Sequence, residues 1–87
     1  MQISDPQVTR ILLFLNEELK KKKSISFNDV MAAREFKKYS VKEIGKSLEF
    51  LRRNGYVKAD SRFGCSELLE FNATMITSTG KEYISKL

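Results

Sequence analysis

The chain has 87 residues, 41% of them hydrophobic, with a formal charge of +5 and no histidine. That length suits one small domain, read as a single unit over residues 1–87, with a modest core. No apolar run approaches the ~20 residues of a membrane span, the opening MQISDPQ lacks the basic segment and apolar block of a signal peptide, and the lone Cys65 excludes an internal disulfide.

The first helix is expected to be capped by Ser4 or Asp5, with Pro6 at the first helical position, where its missing N–H costs nothing. Val8, Ile11, Leu12, Leu15 and Leu19 form its apolar stripe. Leu13 and Phe14 fall off that stripe, which makes Leu13 a candidate interface residue. The helix runs into Lys20, Lys21, Lys22 and Lys23, and cations suit the negative end of a helix dipole. Phosphate contact is the alternative role for the run.

Residues 24–26 are short and β-tolerant, enough for one rung of a small sheet. Ser26 and Asp29 have capping-box spacing, so a second helix is expected over residues 27–36, carrying Val30, Met31, Ala33 and Phe36. Residues 37–39 connect it to the clearest element in the chain, the stretch 40–55. There Ser40 and Glu43 repeat the capping spacing, and Val41, Ile44, Leu48 and Leu51 follow at helical intervals. Asn54-Gly55 closes the helix, since glycine takes the left-handed conformation a helix end often needs.

At 100° per residue, Lys42, Lys46 and Arg53 project within one sector opposite the stripe, with Glu49 among them. The bland reading of that face is solvation with local ion pairs. Phe50 fits neither face. It either folds under the following hairpin as core or marks a partner surface.

Residues 56–59 read as a strand, residues 60–66 (DSRFGCS) as a turn-rich loop, and residues 67–72 as the returning strand. Thr77 is the expected cap of a last helix bearing Tyr83, Ile84 and Leu87. Cys65 lies near Arg62, which would favour a thiolate, so a redox-sensing role stands beside the plainer reading of an inert thiol.

The charge is uneven. Between residues 20 and 58 there are twelve Lys and Arg against four Asp and Glu, or +8, while the flanks carry −2 and −1. Such asymmetry favours a polyanion partner. The sequence has no histidine base, no glycine-rich phosphate loop and no paired carboxylates in a catalytic setting, so enzymatic activity is not expected. Neither a metal, a cofactor nor a small-molecule ligand is expected, and the protein is read as cytoplasmic.

The order of elements is helix, short strand, helix, helix, hairpin, helix: an α+β chain. It resembles the winged helix-turn-helix superfamily. One carrier of the resemblance is Ile44, Leu48, Leu51, Gly55, Tyr56 and Val57, which look like a recognition helix leaving into the first wing strand. The other is ITSTGKEYI, residues 76–84, similar to the ending after the wing in many small bacterial members. Within that superfamily the chain is similar to the YjcQ-type proteins. The resemblance implies a three-helix core with a β-hairpin wing and a C-terminal helix.

It also implies double-stranded DNA as partner and a small transcriptional regulator as the role. Helix 40–54 would lie in the major groove with hairpin 56–72 as wing. The residues implied are Tyr39 and Ser40 at the helix start, Lys42, Lys46 and Arg53 on its face, Lys58 at the hairpin base and Arg62 near its tip. The alternative is a protein-interaction module of the same fold that binds no DNA and works through Phe50, Leu13 or the hairpin. Homodimerisation through a terminal helix is compatible with both.

Overall fold

The structure, a computed structural model, describes residues 5–64 and 67–87. Its elements in order are α1 (Pro6–Glu18), β1 (Ile25–Ser26), α2 (Phe27–Met31), a 3₁₀ turn (Arg34–Phe36), α3 (Val41–Arg53), β2 (Val57–Gly64), β3 (Glu67–Ile76) and α4 (Ser78–Ser85). The three strands form an antiparallel sheet in the order β1-β3-β2. Among the described residues the architecture is therefore α+β, with four helices packed on a small sheet.

Local chemistry sets most of the helix starts. Asp5 caps α1, accepting from the Gln7 N–H at 2.9 Å, with Pro6 at the first position. Ser26 with Asp29, and Ser40 with Glu43, form complete capping boxes at 2.9–3.1 Å. Thr77 caps α4 through the Gly80 N–H at 3.1 Å.

The core lies between α1, α3 and one face of the sheet. Val8, Ile11, Leu12 and Leu15 meet Ile44, Leu48 and Leu51, and Ile25, Val57, Phe71, Ala73 and Ile76 close it from the sheet. The other sheet face carries exposed Glu70, Asn72 and Thr74, as strand alternation requires.

Several sequence expectations need correction. The second helix stops at Met31 rather than Phe36. Ala33 turns extended (φ −67°, ψ 128°), and the chain resumes as the 3₁₀ turn. On one unbroken helix Val30 and Phe36 would point about 120° apart, and the break brings both into the core. Phe36 then meets Phe14 edge-on at 5.2 Å, which explains why Phe14 stands off the first stripe.

Val41 is 58% exposed instead of joining the α3 stripe. It is the first residue of the helix, and helical side chains lean toward the N-terminus, so it overhangs the end. Leu87 is likewise exposed, beyond the end of α4.

Of the residues read as a loop, 60–64 are strand. Pairing runs from Val57↔Ile76 to Gly64↔Glu67, with register shifts at Lys58/Ala59 and Arg62/Phe63. The first shift leaves Thr74 as an extra residue on β3, and its hydroxyl donates to the Lys58 carbonyl at 3.3 Å. Cys65 lies outside the described residues.

Candidate nucleic-acid interface

α3 ends in a tight, hydrogen-bonded turn. Gly55 has φ +76°. The Tyr56 N–H donates to the Leu51 carbonyl at 2.9 Å, and the Gly55 N–H to the Arg52 carbonyl at 3.2 Å, which is the Schellman pairing. The apolar contact that accompanies such an end is Phe50 against Tyr56, stacked at 6.4 Å and 13°. Tyr56 in turn meets Tyr83 of α4 edge-on at 5.7 Å. Phe50 is thus half-buried in an aromatic row that joins α3, the hairpin base and α4.

The stretch 76–84 completes this joint. The Thr77 N–H donates to the Tyr56 carbonyl at 3.1 Å, and the Thr77 hydroxyl donates to the Gly55 carbonyl. Gly80 packs so closely that a Cβ there would fall on the Tyr56 carbonyl oxygen. The glycine and threonine of this segment therefore fix the hairpin to the end of α3.

The exposed sector of α3 is narrower than the sequence suggests. Lys42 and Lys46 stand in solvent on its first half, with no ion pair to any described side chain. Glu49, expected among them on the outward face, is 7% exposed. It is bound by Arg52, by Arg53 Nε at 3.2 Å and by Ser61 of β2. Burial pushes the Glu49 carboxyl up, but the hydrogen bond and charge of Arg52, with those of Arg53 and Ser61, outweigh it and hold the carboxyl below its ordinary range. Arg52 is raised by the same contact. The hairpin thus covers the second half of the sector, and Arg53 is tied down there although 71% of its side chain is exposed.

The other sequence candidates divide in the same way. Ser40 is exposed, but its hydroxyl is occupied as the α3 cap. Tyr39 is half-buried and stacks on Phe36 at 6.1 Å, with its hydroxyl accepting from Arg10 Nη1 at 3.4 Å. Lys58 is exposed at the hairpin base. Arg62 is exposed, but it pairs across the hairpin with Glu70 at 3.1 Å. Leu13 is 38% exposed on α1.

Of the lysine run after α1, Lys20 pairs with Glu17 at 2.9 Å, Lys21 with Glu18 at 3.8 Å and Lys22 with Asp29 at 3.9 Å. Residues given no binding role in the sequence, one near the end of the expected second helix and two in the connection after it, matter more. Arg34, Lys37 and Lys38 are exposed beside the start of α3 and have no described ion-pair partner. Arg10, unnoticed on α1, joins them through Tyr39. The visible signal was four cations within residues 34–42 against a single carboxylate, Glu35.

Among the described residues no cluster of three or more His, Cys, Asp or Glu could hold a metal ion, and no helix is long and apolar enough to cross a membrane. No family model matches the chain, and searches of curated proteins and of solved structures returned no match either.

Proposed function

We propose that this chain is a winged helix-turn-helix protein that binds double-stranded DNA, acting as a small cytoplasmic transcriptional regulator. The reading sets the first half of α3 in the major groove, with Lys42 and Lys46 facing base edges, and the β2–β3 hairpin alongside as wing. The observation that carries it is the pair Lys42 and Lys46, exposed on the open half of a capped helix and free of described carboxylates. Lysines left without partners on an ordered helix are ready to replace the counterions of a phosphate backbone. The element order and the antiparallel sheet beside α3 support the same fold assignment.

A homodimer with Leu13 of α1 at its interface goes with this proposal, since paired subunits read paired half-sites. Fluorescence anisotropy on labelled duplex DNA at two salt concentrations tests the reading. Binding that weakens steeply with salt is expected. No binding at low salt, or an affinity indifferent to salt, would end it.

A further inference from the structure

Resting on the reading that α3 meets duplex DNA, we propose that Arg34, Lys37 and Lys38, with Arg10 of α1, form a phosphate-gripping platform. It holds the duplex on the α1 side of α3, while the hairpin contributes little charge.

Seven of the described cations are already satisfied. Lys20, Lys21, Lys22, Arg52, Arg53, Arg62 and Lys86 all have a carboxylate within 4 Å. The hairpin and the second half of α3 therefore offer mostly neutralised charge: Arg62 faces Glu70, and Arg52 and Arg53 share Glu49, which leaves Lys58 at the hairpin base as an exposed cation with no described ion pair. The stretch 34–46 is different. Its five cations, Arg34, Lys37, Lys38, Lys42 and Lys46, have no described ion-pair partner. Of its two carboxylates, Glu43 is committed to the Ser40 N–H at 3.1 Å.

The stretch is also held in place. Phe36, 1% exposed, plugs the 3₁₀ turn into the core. Phe14 of α1 packs on its edge and Tyr39 stacks on its face. This row fixes the backbone from which Arg34, Lys37 and Lys38 project, so only their side chains need ordering when they meet an anion. Tyr39 carries the platform onto α1, because its hydroxyl takes the Arg10 guanidinium at 3.4 Å. Phosphate contacts of this kind fix orientation and register and leave sequence reading to the helix. On this account they decide which end of α3 is pressed into the groove, and that end holds Lys42 and Lys46.

The test compares charge-matched triple variants on one duplex by anisotropy over a salt series. Arg34→Gln/Lys37→Gln/Lys38→Gln removes the platform. Lys23→Gln/Lys81→Gln/Lys86→Gln removes three cations elsewhere. All six positions are exposed, and circular dichroism confirms that both variants fold. The platform variant is expected to lose about tenfold or more in affinity near 0.1 M salt. Its plot of log affinity against log salt should flatten by about 2–3, close to 0.9 per lost phosphate contact. The matched variant should change the slope by less than half as much, and Arg10→Gln alone should flatten it by about 1.

If Lys46→Ala weakens binding while the platform variant matches its control, the platform is refuted and the DNA reading stands. If the wild type fails to bind at low salt, both fall together.

Discussion

Gly80→Ala should destabilise the fold, although by helix propensity alone it should help. Replacing glycine by alanine inside a helix normally contributes about 0.5–1 kcal/mol. Here the added methyl would fall on the Tyr56 carbonyl oxygen and lie 2.8 Å from Ile76 Cγ2. Neither neighbour can yield easily. Ile76 is 4% exposed, and the Tyr56 carbonyl accepts the Thr77 N–H at 3.1 Å. The Tyr56 ring is held between Phe50 and Tyr83.

Moving α4 away from the hairpin base would break the Thr77 hydrogen bond, worth about 1 kcal/mol, and add overpacking strain of about 1–3 kcal/mol. Against the propensity gain, the net loss is about 1–3 kcal/mol. In a domain of this size each 1 kcal/mol moves the midpoint by roughly 4–8 °C. Urea and thermal unfolding of Gly80→Ala beside wild type should show that loss. A variant as stable as wild type, or more stable, would refute the view that the 76–84 segment is fixed by close backbone approach.

Gly55→Ala tests the other end of the same joint: at φ +76° with open space around it, a side chain meets backbone strain and no collision, so a loss of about 1 kcal/mol is expected in urea unfolding and an unchanged midpoint would contradict the assignment. Glu49 gives a pH test. Its folded carboxyl titrates below its ordinary value of 4.5, so its stabilisation is present above that value and is lost as pH falls through the folded pKa. The stability gap between wild type and Glu49→Gln should therefore be open at pH 7 and shrink below about pH 4; a gap that does not change with pH would rule out the Arg52–Glu49–Arg53 contact as its source. For the homodimer, light scattering should return twice the 10.1 kDa chain mass for wild type and the single-chain mass for Leu13→Asp; a wild type already monomeric at high concentration removes the dimer.

The features legible in the sequence were those set by short-range chemistry. Ser26, Ser40 and Thr77 announced their helices because a cap needs only one hydroxyl and a fixed spacing to the N–H it accepts. Gly55 announced the end of α3 because glycine readily takes the left-handed conformation found there, and the single rung expected from residues 24–26 is a two-residue strand, Ile25 and Ser26. Features that depend on distant partners were not legible. Asp60, Ser61 and Gly64 have turn-like chemistry, yet they are strand because β3 pairs with them.

Glu49 belongs by angle to the outward sector of α3, and only the placement of β2 buries it. Phe50 left two readings open, core beneath the hairpin or a partner surface, because the stripe is counted on one helix alone, and its packing against the core matches the first. Its partner Tyr56 lies just past the helix end, where the Schellman pairing places it. Arg10 and the cations at 34–38 gave no helical pattern to follow. Their relation appears once Phe36 and Tyr39 bring the 3₁₀ turn against α1.

If the open half of α3 meets DNA, two lysine variants must differ. Lys46→Ala and Lys81→Ala each remove one exposed lysine with no described ion-pair partner, the first on α3 and the second on α4. On a labelled duplex followed by anisotropy at two salt concentrations, Lys46→Ala should weaken binding clearly more than Lys81→Ala and lower the salt dependence by about one contact. Equal effects of the two variants would contradict the assigned face.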